Sequence, residues 1–262
     1  MNLIYISVFC QHSYIELLKL LMKSLWERGG INIAATEFLI MTSEEFEPII
    51  RHELSEYPFV IHYFIQTVNT IMEASSSRLS IFDYENIDRY DKILYLDTDV
   101  LINSDVNRLL DIDICNNKLY VVEEGDLTGD SWGWWLFTGT NIDKKTTAFS
   151  AGVMFFKNSR PMKHLFINIQ GYMYDYLHVR GNGIPVCLEQ PFIIYKAITQ
   201  NKYDNQLMKA FLRNIYVGLN DSDAVATDMT IFHFPGQIGN YANKCARMMA
   251  FWDRMNQQDL IC

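Results

Sequence analysis

The sequence predicts an α/β fold, a mostly parallel central sheet flanked by helices. Three observations carry this expectation. Short, near-continuous apolar runs recur through the first hundred residues and read as strands buried on both faces. Segments with helical spacing of apolar residues lie between them. The clearest run, Ile93–Leu96, stops at two aspartates one residue apart, Asp97 and Asp99, and strand C-termini are where open α/β sheets bind ligands.

Taken in order, Leu3–Val8 predicts the first strand, and Ser13-x-x-Glu16 reads as a capping box opening a helix to about Arg28. Gly29-Gly30 ends that helix. Thr36–Met41 predicts a second strand, and Thr42-x-x-Glu45 a second capping box with a helix to about Leu54. Tyr57–Ile65 reads as a third strand, Val68–Tyr84 as a helix carrying Arg78, and Ile93–Leu96 as the fourth strand. A short helix is expected over Asn103–Leu110, a strand over Lys118–Val122, and a long Gly- and Trp-containing loop over Glu123–Thr147. Loops of that length are usually functional. Its Trp132, Trp134 and Trp135 read equally well as a satellite core or as a platform for a ring-shaped ligand.

Phe149–Phe156 predicts a strand opened by Ser150, Ala151 and Gly152, small residues that let a group approach the backbone closely. Helices are expected over Met162–Leu177 and from Glu189-Gln190 to about Thr199. Late strands are expected at Ile215–Val217 and Met229–Phe232, the second ending at His233-Phe234-Pro235-Gly236. An amphipathic helix over Tyr241–Met255 closes the chain. It has few basic residues and is expected to pack on the domain rather than on a membrane.

The bulk properties exclude several functions. The chain has 262 residues, enough for a sizeable core. Its 22 basic and 31 acidic residues give a net charge of −9, against a nucleic-acid footprint, which needs clustered Lys and Arg. Cys10, Cys115, Cys187, Cys245 and Cys262 are scattered and lack a CxxC pair. Neither a disulfide framework nor a zinc site is expected, and a reducing, cytoplasmic compartment is the simpler reading. Met1–Cys10 is apolar but too short to span a membrane and lacks the basic start of a signal peptide. No integral membrane segment is expected.

Two carboxylates beside a buried strand end are costly to keep charged and close. A hard divalent cation removes that cost, because oxygen ligands suit Mg²⁺, Mn²⁺ or Ca²⁺. The alternative is that Asp97 and Asp99 cap the following helix. Asp-x-Asp also resembles the nucleophile loop of haloacid-dehalogenase-type phosphatases. That reading expects Thr or Val where Leu101 stands, and expects the motif on the first strand rather than after three.

The order of landmarks is more specific than any one of them. YDKILYLDTDVLI (90–102), FSAGVMFF (149–156), LEQPFI (188–193) and HFPG (233–236) follow an Arg-bearing helix. Together they resemble glycosyltransferase family 8, from Leu3 to about Lys244. The resemblance implies a GT-A fold, a single Rossmann-like domain over 1–262. Its nucleotide-binding half would span about 1–103, its acceptor-side half about 104–240, and its C-terminal helix about 241–262. It implies a retaining hexosyl transfer from a UDP-sugar to a glycan or protein hydroxyl, with Mn²⁺, or alternatively Mg²⁺, as cofactor. A homodimer is left open.

Carried over by position, Asp97, Asp99 and His233 are the expected metal ligands. Two carboxylates and an imidazole suit Mn²⁺ better than Mg²⁺, which prefers oxygen throughout. Glu189, Gln190 and Arg78 are the expected catalytic residues, with Gln190 facing the anomeric centre and Glu189 binding sugar hydroxyls. Val8, Gln11 and Tyr14 are expected around the uracil. Arg78, Asp97, Thr98, Ser150, Gly236 and Lys244 are expected around the rest of the donor. Three positions depart from the family pattern. Ser150 replaces an Asn, Glu189 replaces an Asp, and Gly239 stands where the family has its diphosphate-binding Lys; either Lys244 reaches the diphosphate by a different loop path, or Gly236 and Gly239 bind it through backbone N–H groups. An inverting GT-A transferase remains an alternative, as does an inactive sugar-nucleotide or glycan-binding module.

Overall fold

The computed structural model describes residues 1–217, 227–236 and 241–259. Strand β1 (Asn2–Val8) shows why the main sheet is central. Its Leu3 and Tyr5 belong to one apolar layer and Ile4, Ile6 and Val8 to the other, all with no exposed surface. Side chains alternate across a strand, so a run buried on both faces must have a core on each side.

The sheet has seven strands in the order β3-β2-β1-β4-β7-β6-β8. Strands β2 (Thr36–Thr42), β3 (Ile61–Ile65) and β4 (Lys92–Leu96) run parallel to β1 or to each other. β7 (Thr147–Lys157) is antiparallel to both β4 and β6 (Leu119–Asp126), and the short β8 (Tyr203–Asp204) pairs parallel with β6. Helices α1 (Ser13–Arg28), α2 (Glu47–Glu53) and α4 (Asn107–Leu110) cover one face. Helices α3 (Ile71–Ser76), α5 (Arg160–Tyr174) and α6 (Gln190–Thr199) cover the other. A second sheet of three strands, β5 (Val100–Ile102), β10 (Ile231–His233) and β9 (Leu212–Asn214), is ordered β5-β10-β9. Helix α7 (Tyr241–Asp259) packs on it and on α1 through Met248, Phe251, Trp252 and Met255. No helix among the described residues is long and apolar enough to cross a membrane.

Several local expectations are corrected. Ser13 does not cap α1, because the backbone carbonyls of Gln11 and His12 already accept from the amides of Tyr14 and Ile15. Thr42 is the last residue of β2, and its hydroxyl donates to the Val8 carbonyl instead of capping a helix. α2 therefore starts later, after Phe46. The expected long helix over Val68–Tyr84 is the short α3 followed by a 3₁₀ turn, Ser77–Asp83. A capping arrangement does open α3, where Thr70 accepts from the Glu73 amide and Glu73 accepts from the Asn69 amide. The third strand starts at Ile61 rather than Tyr57, and residues 100–102 form β5 where the sequence pattern suggests only a helix from Asn103. The long loop is shorter than expected because β6 continues to Asp126. The late strand lies at Leu212–Asn214, not at Ile215–Val217.

Candidate active site

β4 ends at Leu96, and the next three residues, Asp97 to Asp99, carry the chain from the large sheet to β5 of the small one. The Asp97 amide donates to the Gly152 carbonyl of β7 at 2.8 Å, while the Asp99 carbonyl accepts from the Phe234 amide at 2.9 Å. The two aspartates are thus pinned by opposite sheets. β10 lies against β5 with His233 opposite Val100, which brings His233 to the same turn. Asp97, Asp99 and His233 each offer one ligand atom, and these atoms lie within 4.8 Å of one another.

Three features of this cluster fit a divalent cation. The buried Asp99 Oδ1 has no hydrogen-bond partner among the described residues; His233 Nε2 stands 3.5 Å away. A Cβ on Gly152 would come within 2.4 Å of His233 Nε2 and 3.0 Å of Asp97 Oδ2, so only glycine keeps this space open. His233 Nδ1 is bonded to Asn214 Oδ1 at 2.8 Å. An amide oxygen only accepts, so Nδ1 carries the proton and Nε2 offers its lone pair. The chemistry of two carboxylates and an imidazole agrees with the same conclusion.

Arg78 organises the other side of the turn. Its Nη2 lies 3.0 Å from Asp97 Oδ1, its Nη1 donates to the Ala151 carbonyl at 3.0 Å, and its Nε lies 3.1 Å from Glu189 Oε1. The Tyr95 hydroxyl donates to Asp97 Oδ1, and the Tyr95 ring lies 4.6 Å from the guanidinium. Arg78 therefore ties the Asp97 carboxylate to Glu189 at the head of α6. The next residue, Gln190, accepts from the Ala151 amide through Oε1 at 3.0 Å, which fixes its side chain at the cavity wall.

Electrostatics differ between the two aspartates. Burial raises the Asp97 carboxyl above its ordinary value, with Arg78 opposing and Asp99 adding to the rise. Burial acts on Asp99 in the same direction, but Lys244 and His233 outweigh it and hold that carboxyl well below the usual carboxylate range. Burial pulls His233 down, yet the Asp99, Asp97 and Glu124 carboxylates prevail and hold it above its ordinary value.

These groups line a cavity of about 590 Å³, within the range usual for small-ligand sites. Gln11, Tyr14, Arg78, Asp97, Thr98, Asp99, Ser150, Glu189, Gln190, His233, Gly236 and Lys244 all line it. Val8 does not; its side chain lies in the core and its carbonyl accepts from Thr42. Gly239 lies outside the described residues. Of the three tryptophans, Trp132 lines the cavity, while Trp134 stacks on Phe137 and packs, like Trp135, against the core. Cys10 and Leu188, both at the cavity wall, hold left-handed backbone at φ 70° and 52°. Strained residues of this kind cluster at functional sites. A second recess of about 540 Å³ opens at the opposite ends of the strands, lined by Met1, Asp91, Asn158 and Arg160 among others. It contains none of these groups.

Sequence reasoning misses Glu124, Tyr216 and Asn214. The Tyr216 hydroxyl donates to Glu124 Oε1 at 2.9 Å and accepts from Asn214 Nδ2 at 3.2 Å, and Asn214 in turn holds His233. Burial raises the Glu124 carboxyl above its ordinary value. No local sequence pattern signals them: Glu124 is placed by the β6–β7 register, which pairs Val122 with Ser150, and Asn214 by the pairing of β9 with β10.

The sequence model of Glycosyl transferase family 8 matches residues 41–196. The chain belongs to glycosyltransferase family 8. No curated protein sequence matches it. Among solved structures, the galactosyltransferase LgtC in complex with donor and acceptor sugar analogs is similar at TM-score 0.60 and 16% identity, over 96% of this chain and 95% of that one. The bifunctional glycosyltransferase WbbM gives TM-score 0.60 and 16% identity over 96% of this chain; the chain spans about half of WbbM (51%). Mouse xyloside xylosyltransferase 1 gives TM-score 0.59 and 12% identity, over 89% of this chain and 98% of that one. The family 8 chain has the GT-A fold that these neighbours share.

Proposed function

We propose that this family 8 transferase moves a hexose from a UDP-sugar to a hydroxyl of a glycan or protein acceptor, with Mn²⁺ as cofactor and with retention at the anomeric carbon. The observation that carries the reading is one cavity shared by the Asp97–Asp99–His233 cluster and the Arg78–Glu189–Gln190 group. Asp97, Asp99 and His233 would hold the cation, which supplies positive charge to the departing diphosphate. Tyr14 and Gln11 would receive the uracil, and Thr98, Ser150 and Gly236 the rest of the donor. Glu189 would bind sugar hydroxyls while Arg78 fixes both its orientation and that of Asp97. The division into a nucleotide half and an acceptor half belongs to this proposal. So does a reducing compartment, for which the free thiols of Cys10, Cys115, Cys187 and Cys245 speak.

The state of Gln190 favours attack from the face the leaving group departs. Its amide oxygen accepts from the Ala151 amide, which draws electron density from it, and a neutral amide is in any case a weaker nucleophile than a carboxylate. In the same-face route the acceptor oxygen bonds to the anomeric carbon as the carbon–phosphate-oxygen bond breaks. The acceptor proton passes to the departing phosphate oxygen, and UDP leaves. The transition state has oxocarbenium character, and Gln190 offers amide N–H groups to the sugar oxygens.

The test is thermal unfolding with UDP, GDP and CMP, with and without Mn²⁺, followed by UDP-sugar hydrolysis and NMR assignment of the product anomer. A Mn²⁺-dependent shift with UDP and a retained configuration support the proposal. An inverted product would assign the inverting alternative, and binding without turnover the inactive module. No shift with any nucleotide would overturn the donor site.

A further inference from the structure

Lys244 is buried, and its ammonium lies 2.6 Å from Asp99 Oδ2. Asp99 is its only ion-pair partner among the described residues. The other oxygen of the same carboxylate, Oδ1, is the unpartnered atom of the cation cluster. A fixed positive charge thus sits one carboxylate away from where a divalent cation would bind. Arg78 holds Asp97 in the same way from the other side. Both cluster carboxylates therefore already have a protein cation beside them, the buried Lys244 and the largely covered Arg78.

We infer that Lys244 is an internal counter-ion that keeps the cation site weak until the donor arrives. Resting on the donor-site reading above, the inference follows from charge and hydrogen-bond chemistry. A divalent cation approaching Asp99 Oδ1 meets a carboxylate whose charge is offset, with an ammonium nearby in a buried, poorly screened setting. A diphosphate changes this. It brings negative charge and several acceptor oxygens, a charge-assisted alternative for Lys244. Transfer of Lys244 from Asp99 to the diphosphate restores the full charge of Asp99 to the cation. Nucleotide then tightens cation binding, and by linkage the cation tightens nucleotide binding by the same factor.

The experiment is Mn²⁺ binding, read from the EPR signal of free Mn²⁺, with and without UDP, on wild type, Lys244→Gln and Lys244→Arg. Thermal unfolding of each variant establishes that it is folded. Gln can still donate a hydrogen bond to Asp99 but carries no charge; Arg keeps the charge. In wild type, UDP is expected to tighten Mn²⁺ binding by about 5–150-fold, the usual range for coupled sites. Lys244→Gln is expected to bind Mn²⁺ more tightly than wild type without UDP and to lose most of the coupling. Lys244→Arg is expected to keep weak nucleotide-free binding. Nucleotide-free affinity that is unchanged or lower in Lys244→Gln, or equally raised in Lys244→Arg, overturns the inference while leaving the donor site standing. Absence of Mn²⁺ binding by wild type in both conditions overturns the donor-site reading and this inference together.

Discussion

At the scale of single residues, the site depends on atoms that are missing as much as on those present. Gly152 is the clearest case, since any side chain there enters the space between His233 and Asp97. Gly152→Ala is expected to abolish Mn²⁺-dependent UDP binding with only a modest loss of stability, because the clash is confined to the ligand cluster. Calorimetric titration beside thermal unfolding separates the two effects; normal Mn²⁺ affinity in this variant would show that the cation lies elsewhere. Asp99→Ala should remove the UDP shift altogether. That shift is worth about 2.7 kcal/mol in wild type when nucleotide is present at 100 times its dissociation constant. Asn214→Leu should weaken Mn²⁺ about 10–100-fold, the usual effect of losing a residue that orients a ligating histidine. Asp97 and Asp99 were legible because the motif is contiguous. Ser150 to Gly152 were legible as a stretch of small residues. Asn214 was not, because it reaches His233 only through the pairing of β9 with β10, where the two residues face each other.

At the scale of elements, the sequence revealed which strands are buried but not how their ends are tied. β1, β4 and β7 follow the apolar runs closely, since burial on both faces leaves little freedom in register. The two early capping boxes failed for different reasons: near Ser13 the Gln11 and His12 carbonyls already accept from the first amides and the Ser13 hydroxyl turns to Gln11, whereas Thr42 donates to the Val8 carbonyl, a partner far along the chain. Glu37 on β2 is a further element-scale device that no local pattern signals. It accepts from the Tyr90 hydroxyl at 2.6 Å, contacts His62 at 2.8 Å on β3, and pairs with Arg89 at 3.2 Å. Burial raises its carboxyl, but Tyr90, His62 and Arg89 outweigh this and hold it below its ordinary value. A depressed folded-state value means the stabilisation is complete above the unfolded value, about 4.3, and is lost as pH falls through the folded one. Urea midpoints across this acid range should therefore fall more steeply for wild type than for Glu37→Gln. Parallel curves would show that the carboxylate contributes nothing to acid sensitivity.

At the scale of the whole molecule, the family 8 fold joins two sheets at the aspartate turn, and one apolar cluster supports the join. Leu17 of α1, Leu101 of β5, Phe232 of β10 and Phe251 and Trp252 of α7 meet there. Phe251 sits edge-on to Phe232 and Phe234 at 5.0 and 5.2 Å. Phe232 precedes the metal-ligand candidate His233, and α7 carries Lys244. Phe156 is as deeply buried but lies in the layer between the large sheet and α5, against Phe82 and Phe166. Truncating either aromatic to Ala should cost about 3–5 kcal/mol by urea unfolding. Their effects on ligands should differ. Phe251→Ala loosens the element that positions Lys244 and the strand that positions His233, so UDP–Mn²⁺ affinity of the folded protein should fall with stability. Phe156→Ala should lose stability with a much smaller effect on affinity, because of its two ring neighbours only Phe82 shares an element with a site residue, Arg78, and Arg78 is held separately by the Ala151 carbonyl and the Asp97 and Glu189 carboxylates. Equal dissociation constants in the two variants would show that the small sheet and α7 do not set the geometry of the site, and that the large sheet holds the aspartate turn by itself.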